Sequence, residues 1–181
     1  MPEARRTLKI FLALWPPAAA RQQLDQLAKQ LIAGCQGRAI RPENLHLTLL
    51  FIGEVAPSVL PKLGQAVSVV KQPAFHMILD EIRYWKREGI VVAGMQQPPA
   101  ALLELVQALR QALSTMEIPF DARPFKPHVT LVRNAKCREL PDSMTVIDWE
   151  VAQWSLVQSL PTPQGVVYRA LTNWLLEPPG P

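Results

Sequence analysis

Two stretches of the chain, LHLTLLFIG (45–53) and PHVTLVRNA (127–135), share one pattern: histidine, an apolar residue, threonine, leucine. In an extended strand, side chains two apart face the same side. His46 and Thr48 therefore project together, and Leu45, Leu47 and Leu49 project the opposite way. His128 and Thr130 share a face in the second copy, with Val129 and Leu131 behind them. The fold must accommodate two strands, each anchored on one face and polar on the other. An imidazole beside a hydroxyl on such a rigid element suits a precisely placed active group.

The rest of the pattern supplies the frame. TLKIFLALWPP (7–17) reads as a strand stopped by two prolines. Residues 18–34 read as an amphipathic helix, with Pro17 at its first turn, Leu24, Leu27, Leu31 and Ile32 on one face, and Gly34 at its end. A second helix is expected over 56–73, with Ser58 as N-cap and Pro73 as stop, and a third over 98–116. Residues 38–54 read as a turn feeding a strand that closes at Gly53. Strand-like runs at 74–85 and 89–95, joined by KREG, suit a hairpin, as do 148–160 and 165–176 joined by PTPQ. Helices alternate with strands without a clean βαβ rhythm. That favours an α+β fold with antiparallel sheet over a doubly wound parallel one.

The chain has 181 residues, which suits one large domain or two small lobes sharing a core. No apolar run approaches the roughly 18 residues of a membrane helix. The last residues, 178–181, read as a frayed tail. Cys35 and Cys137 have no metal-like spacing, so two reduced thiols in a cytoplasmic protein are the expectation, with a disulfide as the alternative. The net charge of +4 is a mild bias toward anionic partners. Its sources include Arg5, Arg6, Lys9, Arg38, Arg41, Arg123, Lys126 and Arg133, several of them close in sequence to the twin motifs.

Imidazole titrates near neutral pH, so one ring can be protonated while another is neutral. Two rings then act as general base and general acid for displacement at phosphorus. The hydroxyls can hydrogen-bond phosphoryl oxygens as charge builds there. Neither metal nor cofactor is required. One His-x-Thr would mean little; two in matching frames, each after a proline-containing turn, carry the reading. The third histidine, His76, has no threonine two residues on and reads as a sheet-face residue.

PENLHLTLLFIGE and FKPHVTLVRNA resemble the motifs of the two-histidine phosphoesterase superfamily, most closely the RNA 2′,3′-cyclic phosphodiesterases, also called 2′-5′ RNA ligases (LigT-like). The resemblance covers nearly the whole chain, and the domain it implies spans 1–181. It implies a single bilobal α+β domain of pseudo-symmetric halves, with antiparallel sheets lining a central cleft, helices outside and one His-x-Thr from each lobe. It also implies hydrolysis of the 2′,3′-cyclic phosphate of an RNA end, or of a small nucleotide, to a 2′-phosphate. His46 would be the proton donor to the leaving 3′ oxygen, His128 the acceptor that activates water, and Thr48 and Thr130 the phosphate ligands. Arg133 matches a family arginine near the ligand. Strict alternation puts it on the face opposite His128, so it needs a strand end or a bulge to reach the cleft. Phe11, Phe51 and Phe125 could stack a base or simply pack the core.

Two other readings stay open on the sequence. The same site run backwards would join RNA ends in a 2′-5′ linkage, though no GxxxxGK phosphate loop is present to drive ligation. A non-enzymatic RNA- or nucleotide-binding module would use the same cleft. A monomer with no membrane contact is expected.

Overall fold

A computed structural model of the chain describes residues 7–178. Arg5, Arg6 and all but the first residue of the expected tail lie outside that range. Ten strands and three α-helices follow in the order β1 (Leu8–Leu14), α1 (Ala18–Cys35), β2 (Arg38–Ala39), β3 (Leu47–Val55), α2 (Leu60–Ser68), β4 (Phe75–Leu79), β5 (Glu81–Trp85), β6 (Ile90–Gly94), α3 (Ala100–Thr115), β7 (His128–Arg133), β8 (Ile147–Val151), β9 (Gln153–Thr162) and β10 (Gly165–Leu175). All the strand pairs are antiparallel. The architecture is α+β, as the sequence pattern implies.

One eight-stranded sheet runs β10-β9-β1-β3-β7-β6-β5, with β2 added beside β7. Its two halves meet at one residue pair, Leu47 opposite Val129. Both side chains are 0% exposed. Helix α1 packs on β7, β2 and β8, whereas α3 packs on β3 and α2. The helix that follows β1 thus supports the other half of the sheet, which interlaces the halves. On α1, Leu24 and Leu31 of the expected face are buried and Leu27 and Ile32 are half-buried against the core, while Ala20, Ala28 and Cys35 complete the packed stripe; on α3 the expected Leu102, Leu105, Val106, Leu109 and Leu113 are all buried. These residues and the inner faces of β1, β3 and β7 form one core.

Several boundaries differ from expectation. The 74–85 run breaks at Asp80: β4 leaves the main sheet to pair with β8, and only β5 makes the hairpin with β6. The 148–160 run likewise divides into β8 and β9. β3 continues through Gly53 to Val55. A single 3-10 turn at Pro57–Val59 precedes α2, which ends at Ser68 well before Pro73, and Ser58 does not cap it.

The thiol expectation is overturned: Cys35 and Cys137 form a disulfide across a sequence separation of 102. The end of α1 lies against the segment after β7, where Lys136 N–H donates to the Cys35 carbonyl at 2.7 Å. Spacing in the sequence carries no trace of that approach.

The same junction needs Gly37. Its φ is +84°, and a Cβ there would sit 2.5 Å from the Arg133 carbonyl oxygen and 2.9 Å from that of Asn134. Both obstacles are backbone, so Gly37→Ala combines left-handed strain with a clash. We expect it to destabilise the fold by more than about 1 kcal/mol, lowering the melting temperature by several degrees. A melting curve unchanged to within a degree would refute this.

Candidate active site

The two His-x-Thr motifs flank the joint between the sheet halves. Leu47 and Val129 point into the core, so their chain neighbours point to the opposite, open face. The antiparallel register sets His46 toward Thr130 and Thr48 toward His128. The two imidazoles are close enough to repel each other's charged forms.

Backbone carbonyls hold both rings. His46 Nδ1 lies 2.7 Å from the Asn44 oxygen and His128 Nδ1 lies 2.6 Å from the Lys126 oxygen. A carbonyl only accepts, so Nδ1 carries the proton in each ring and donates it. Nε2 is left to gain or lose a proton at the open face. The Asn44 carbonyl is itself fixed, because Pro42–Asn44 forms a 3-10 turn and Asn44 Nδ2 donates to the Val166 carbonyl at 2.8 Å.

Aromatic rings crowd His46. Phe11, Trp15 and Tyr168 have centroids 5.0, 5.7 and 4.8 Å from it. Burial among them lowers the His46 pKa to about 4; the Asn44 hydrogen bond works against this, while His128 and Arg133 add to it. His128 has one such neighbour, Trp85, at 4.5 Å. Its pKa is also lowered, by burial first and by Arg133 as well, with the Lys126 hydrogen bond opposing. Both rings are therefore neutral at pH 7.

Arg133 reaches the cleft by a bulge. Opposite β6, Val91 pairs with Val132 and Val92 with Thr130, so Leu131 is extra. Leu131 and Val132 are both buried, alternation slips by one, and Arg133 joins the face of His128 and Thr130. β3 repeats the device against β1. Leu12 pairs with Leu50 and Ala13 with Thr48, so Leu49 is extra. The residue brought to the open face there is Phe51, 37% exposed.

His46, Thr48, Thr130, Arg133 and Phe51 line a cavity of about 550 Å³. Lys9, whose Nζ lies 5.7 Å from the Phe51 ring centroid, and Arg38 add positive charge to it. His128 lines a neighbouring cavity of about 780 Å³, which meets the first at Thr48 and Phe51. The other expected stacking residues separate. Phe11 is 4% exposed and packs against His46 and Tyr168, so it shapes the imidazole's surroundings and leaves little ring for a base. Phe125 is half-buried in the wall of the second cavity. His76 lies away from the cleft on β4, exposed, 3.5 Å from Asp148.

The sequence reading misses Trp15, Asn44, Trp85 and Tyr168. Tyr168 and Trp85 sit on hairpin strands with no motif to mark them. The bulges did leave a signal: Leu49-Leu50 and Leu131-Val132 are apolar doublets that break the alternation before Phe51 and Arg133.

The chain matches the family model described as LigT like phosphoesterase twice, over residues 14–92 and 93–168. It is 31% identical to the RNA 2′,3′-cyclic phosphodiesterase of Escherichia coli over 93% of this chain and 96% of that protein. It is 29% identical to the protein of the same name from Thermus thermophilus, over 93% of this chain and 90% of the relative. The crystal structure of E. coli LigT complexed with 3′-AMP superposes with a TM-score of 0.85 at 30% identity, covering 94% of this chain and 99% of that one. The chain belongs to the LigT-like phosphoesterase family.

Proposed function

We propose that this protein hydrolyses the 2′,3′-cyclic phosphate of RNA ends to a 2′-phosphate, by paired-histidine general acid–base catalysis without a metal. The observation that carries the reading is the pair of imidazoles across the β3–β7 joint, both held in the Nδ1–H tautomer and accompanied by two hydroxyls and a guanidinium. The curated relatives bearing the name RNA 2′,3′-cyclic phosphodiesterase support the choice of substrate.

In this reading the cyclic phosphate binds between Thr48, Thr130 and Arg133. His128 Nε2 takes a proton from water as the water oxygen bonds to phosphorus. The bond from phosphorus to the 3′ oxygen breaks, and His46 Nε2 gives that oxygen its proton. The hydroxyls and Arg133 meet the charge that builds on the non-bridging oxygens. The anionic substrate shifts this balance. Its charge offsets the desolvation of an imidazolium at His46, so the acid's proton is favoured when the phosphate arrives. Phe51, exposed where the cavities meet, offers a stacking face to the terminal base.

The chain acts as a monomeric, bilobal unit, each lobe giving one motif. We place it in the cytoplasm, where RNA ends arise; the Cys35–Cys137 disulfide is the observation that weighs against a reducing compartment.

An oligonucleotide ending in a 2′,3′-cyclic phosphate, offered with EDTA present, should yield a 2′-phosphate. A 3′-phosphate would reverse the identity of the leaving oxygen, and binding without turnover would favour a nucleotide-binding module. His46→Ala and His128→Ala should each lose about 100-fold or more in turnover while circular dichroism stays native. A phosphodiester with a p-nitrophenolate leaving group needs no proton donor, so it should restore activity to His46→Ala and not to His128→Ala. The opposite pattern would exchange the two roles.

The reaction needs one ring protonated and one neutral, so kcat/KM should be bell-shaped between two coupled ionisations of the free enzyme. Both rings hold their protons less tightly than an ordinary imidazole at 6.5. The maximum should therefore lie below pH 6.5, with kcat/KM falling as pH rises through neutrality. A maximum above about pH 7.5 would contradict the burial of these rings as the controlling effect.

A further inference from the structure

The cavity on the His128 side holds about 780 Å³, far more than one attacking water occupies. Its walls combine aromatic rings with positive charge. Trp85 and Phe125 supply the rings. Two of its cations are tied up: Arg123 pairs with Asp121, and Arg110 Nη2 donates to the Arg123 carbonyl at 2.6 Å. Three others, Lys86, Arg87 and Lys126, are exposed and pair with no carboxylate among the described residues. Glu88 is the one other carboxylate in the wall. Arg110 Nε is buried with no hydrogen-bond partner in the protein. A positive groove set with aromatic faces suits single-stranded nucleic acid, whose backbone it tracks and whose bases it stacks.

We infer that this cavity is a second nucleotide subsite: Lys86, Arg87 and Lys126 take a backbone phosphate, and the Trp85–Phe125 side takes a base. This rests on the cyclic phosphodiesterase reading above. In an in-line displacement the nucleophile and the leaving oxygen lie on opposite sides of phosphorus. The terminal ribose carries both the 2′ and the 3′ oxygen, so the terminal nucleoside occupies the His46 side. The cavity beside His128 then lies across the phosphorus from it. Its occupant is the next nucleotide of the same RNA, folded past the phosphate, or the 5′-hydroxyl end of another strand. Both present the same chemistry, a base with a phosphodiester beside it.

Lys86 and Arg87 stand in the exposed β5–β6 turn and touch no reacting group in the proposed mechanism, so Lys86→Ser/Arg87→Ser probes the subsite alone. Three probes are titrated by fluorescence anisotropy: a nucleoside 2′-phosphate, a tetranucleotide ending in a 2′-phosphate, and a 5′-hydroxyl tetranucleotide added over saturating nucleoside 2′-phosphate. The double variant should weaken a tetranucleotide about 10-fold and reduce the slope of its log–log salt dependence by roughly 0.7, the contribution of one phosphate contact on a single strand. Affinity for the nucleoside 2′-phosphate and turnover of a nucleoside 2′,3′-cyclic phosphate should stay within about 2-fold of wild type, since neither reaches the subsite. Loss on the 2′-phosphate tetranucleotide identifies the same strand as the occupant; loss on the 5′-hydroxyl tetranucleotide identifies a separate one. Tetranucleotides that bind the wild type no better than the mononucleotide, or a variant that weakens all three probes alike or none, would overturn the subsite. A wild type that turns over no cyclic nucleotide would overturn the parent reading, while binding would still decide the subsite.

Discussion

The contact on which the rest depends is Leu47 against Val129. It is the single residue pair by which β3 and β7 join two halves of a sheet. Burying these two side chains fixes the register, and one-residue slippage would turn every neighbour to the wrong face. With the register fixed, the four polar residues beside them must gather on the open face. Interlaced helix packing holds the joint from below, since α1 braces β7 and α3 braces β3. The spacing of these four residues is thus set by core packing, which tolerates little displacement.

Orientation and proton affinity come from different sources. The carbonyls of Asn44 and Lys126 fix the tautomer and aim of each ring. The aromatic neighbours set how readily each ring holds charge, by excluding water. Rigid aim with a tunable charge suits proton transfer, because the ring need not turn between accepting and donating.

Much of this is readable in the sequence, for physical reasons. Alternation in HLTLL and HVTLV fixes which side chains share a face, and helical spacing fixes the packed stripes of α1 and α3. Non-local geometry is not readable. Nothing in a strand's pattern says which strand it pairs with, so the departure of β4 to β8 leaves no mark. Cys35 and Cys137 are brought together by the interlacing of α1 with β7. Tyr168 reaches His46 only because the last hairpin folds beside β1. Arg133 marks the boundary: strict alternation places it on the wrong face, yet the apolar doublet that corrects it is in view.

The two bulges explain how similar motifs come to do different work. Each motif is followed by a buried doublet, a slipped register and one side chain returned to the open face five residues after its histidine. On β3 that residue is Phe51, and on β7 it is Arg133. One device therefore puts an aromatic ring on one side of the cleft and a fixed cation on the other. The surroundings are unequal as well, with three aromatic rings around His46 and one beside His128. The enclosed His46 gives up its proton more readily than an ordinary imidazole, and in the proposed reaction a proton donor benefits from that once the phosphate's charge has brought the proton in. His128, with fewer aromatic neighbours, borders the roomier cavity from which a nucleophile can approach. The difference between the proposed acid and base thus arises in the side chains around two matching strands.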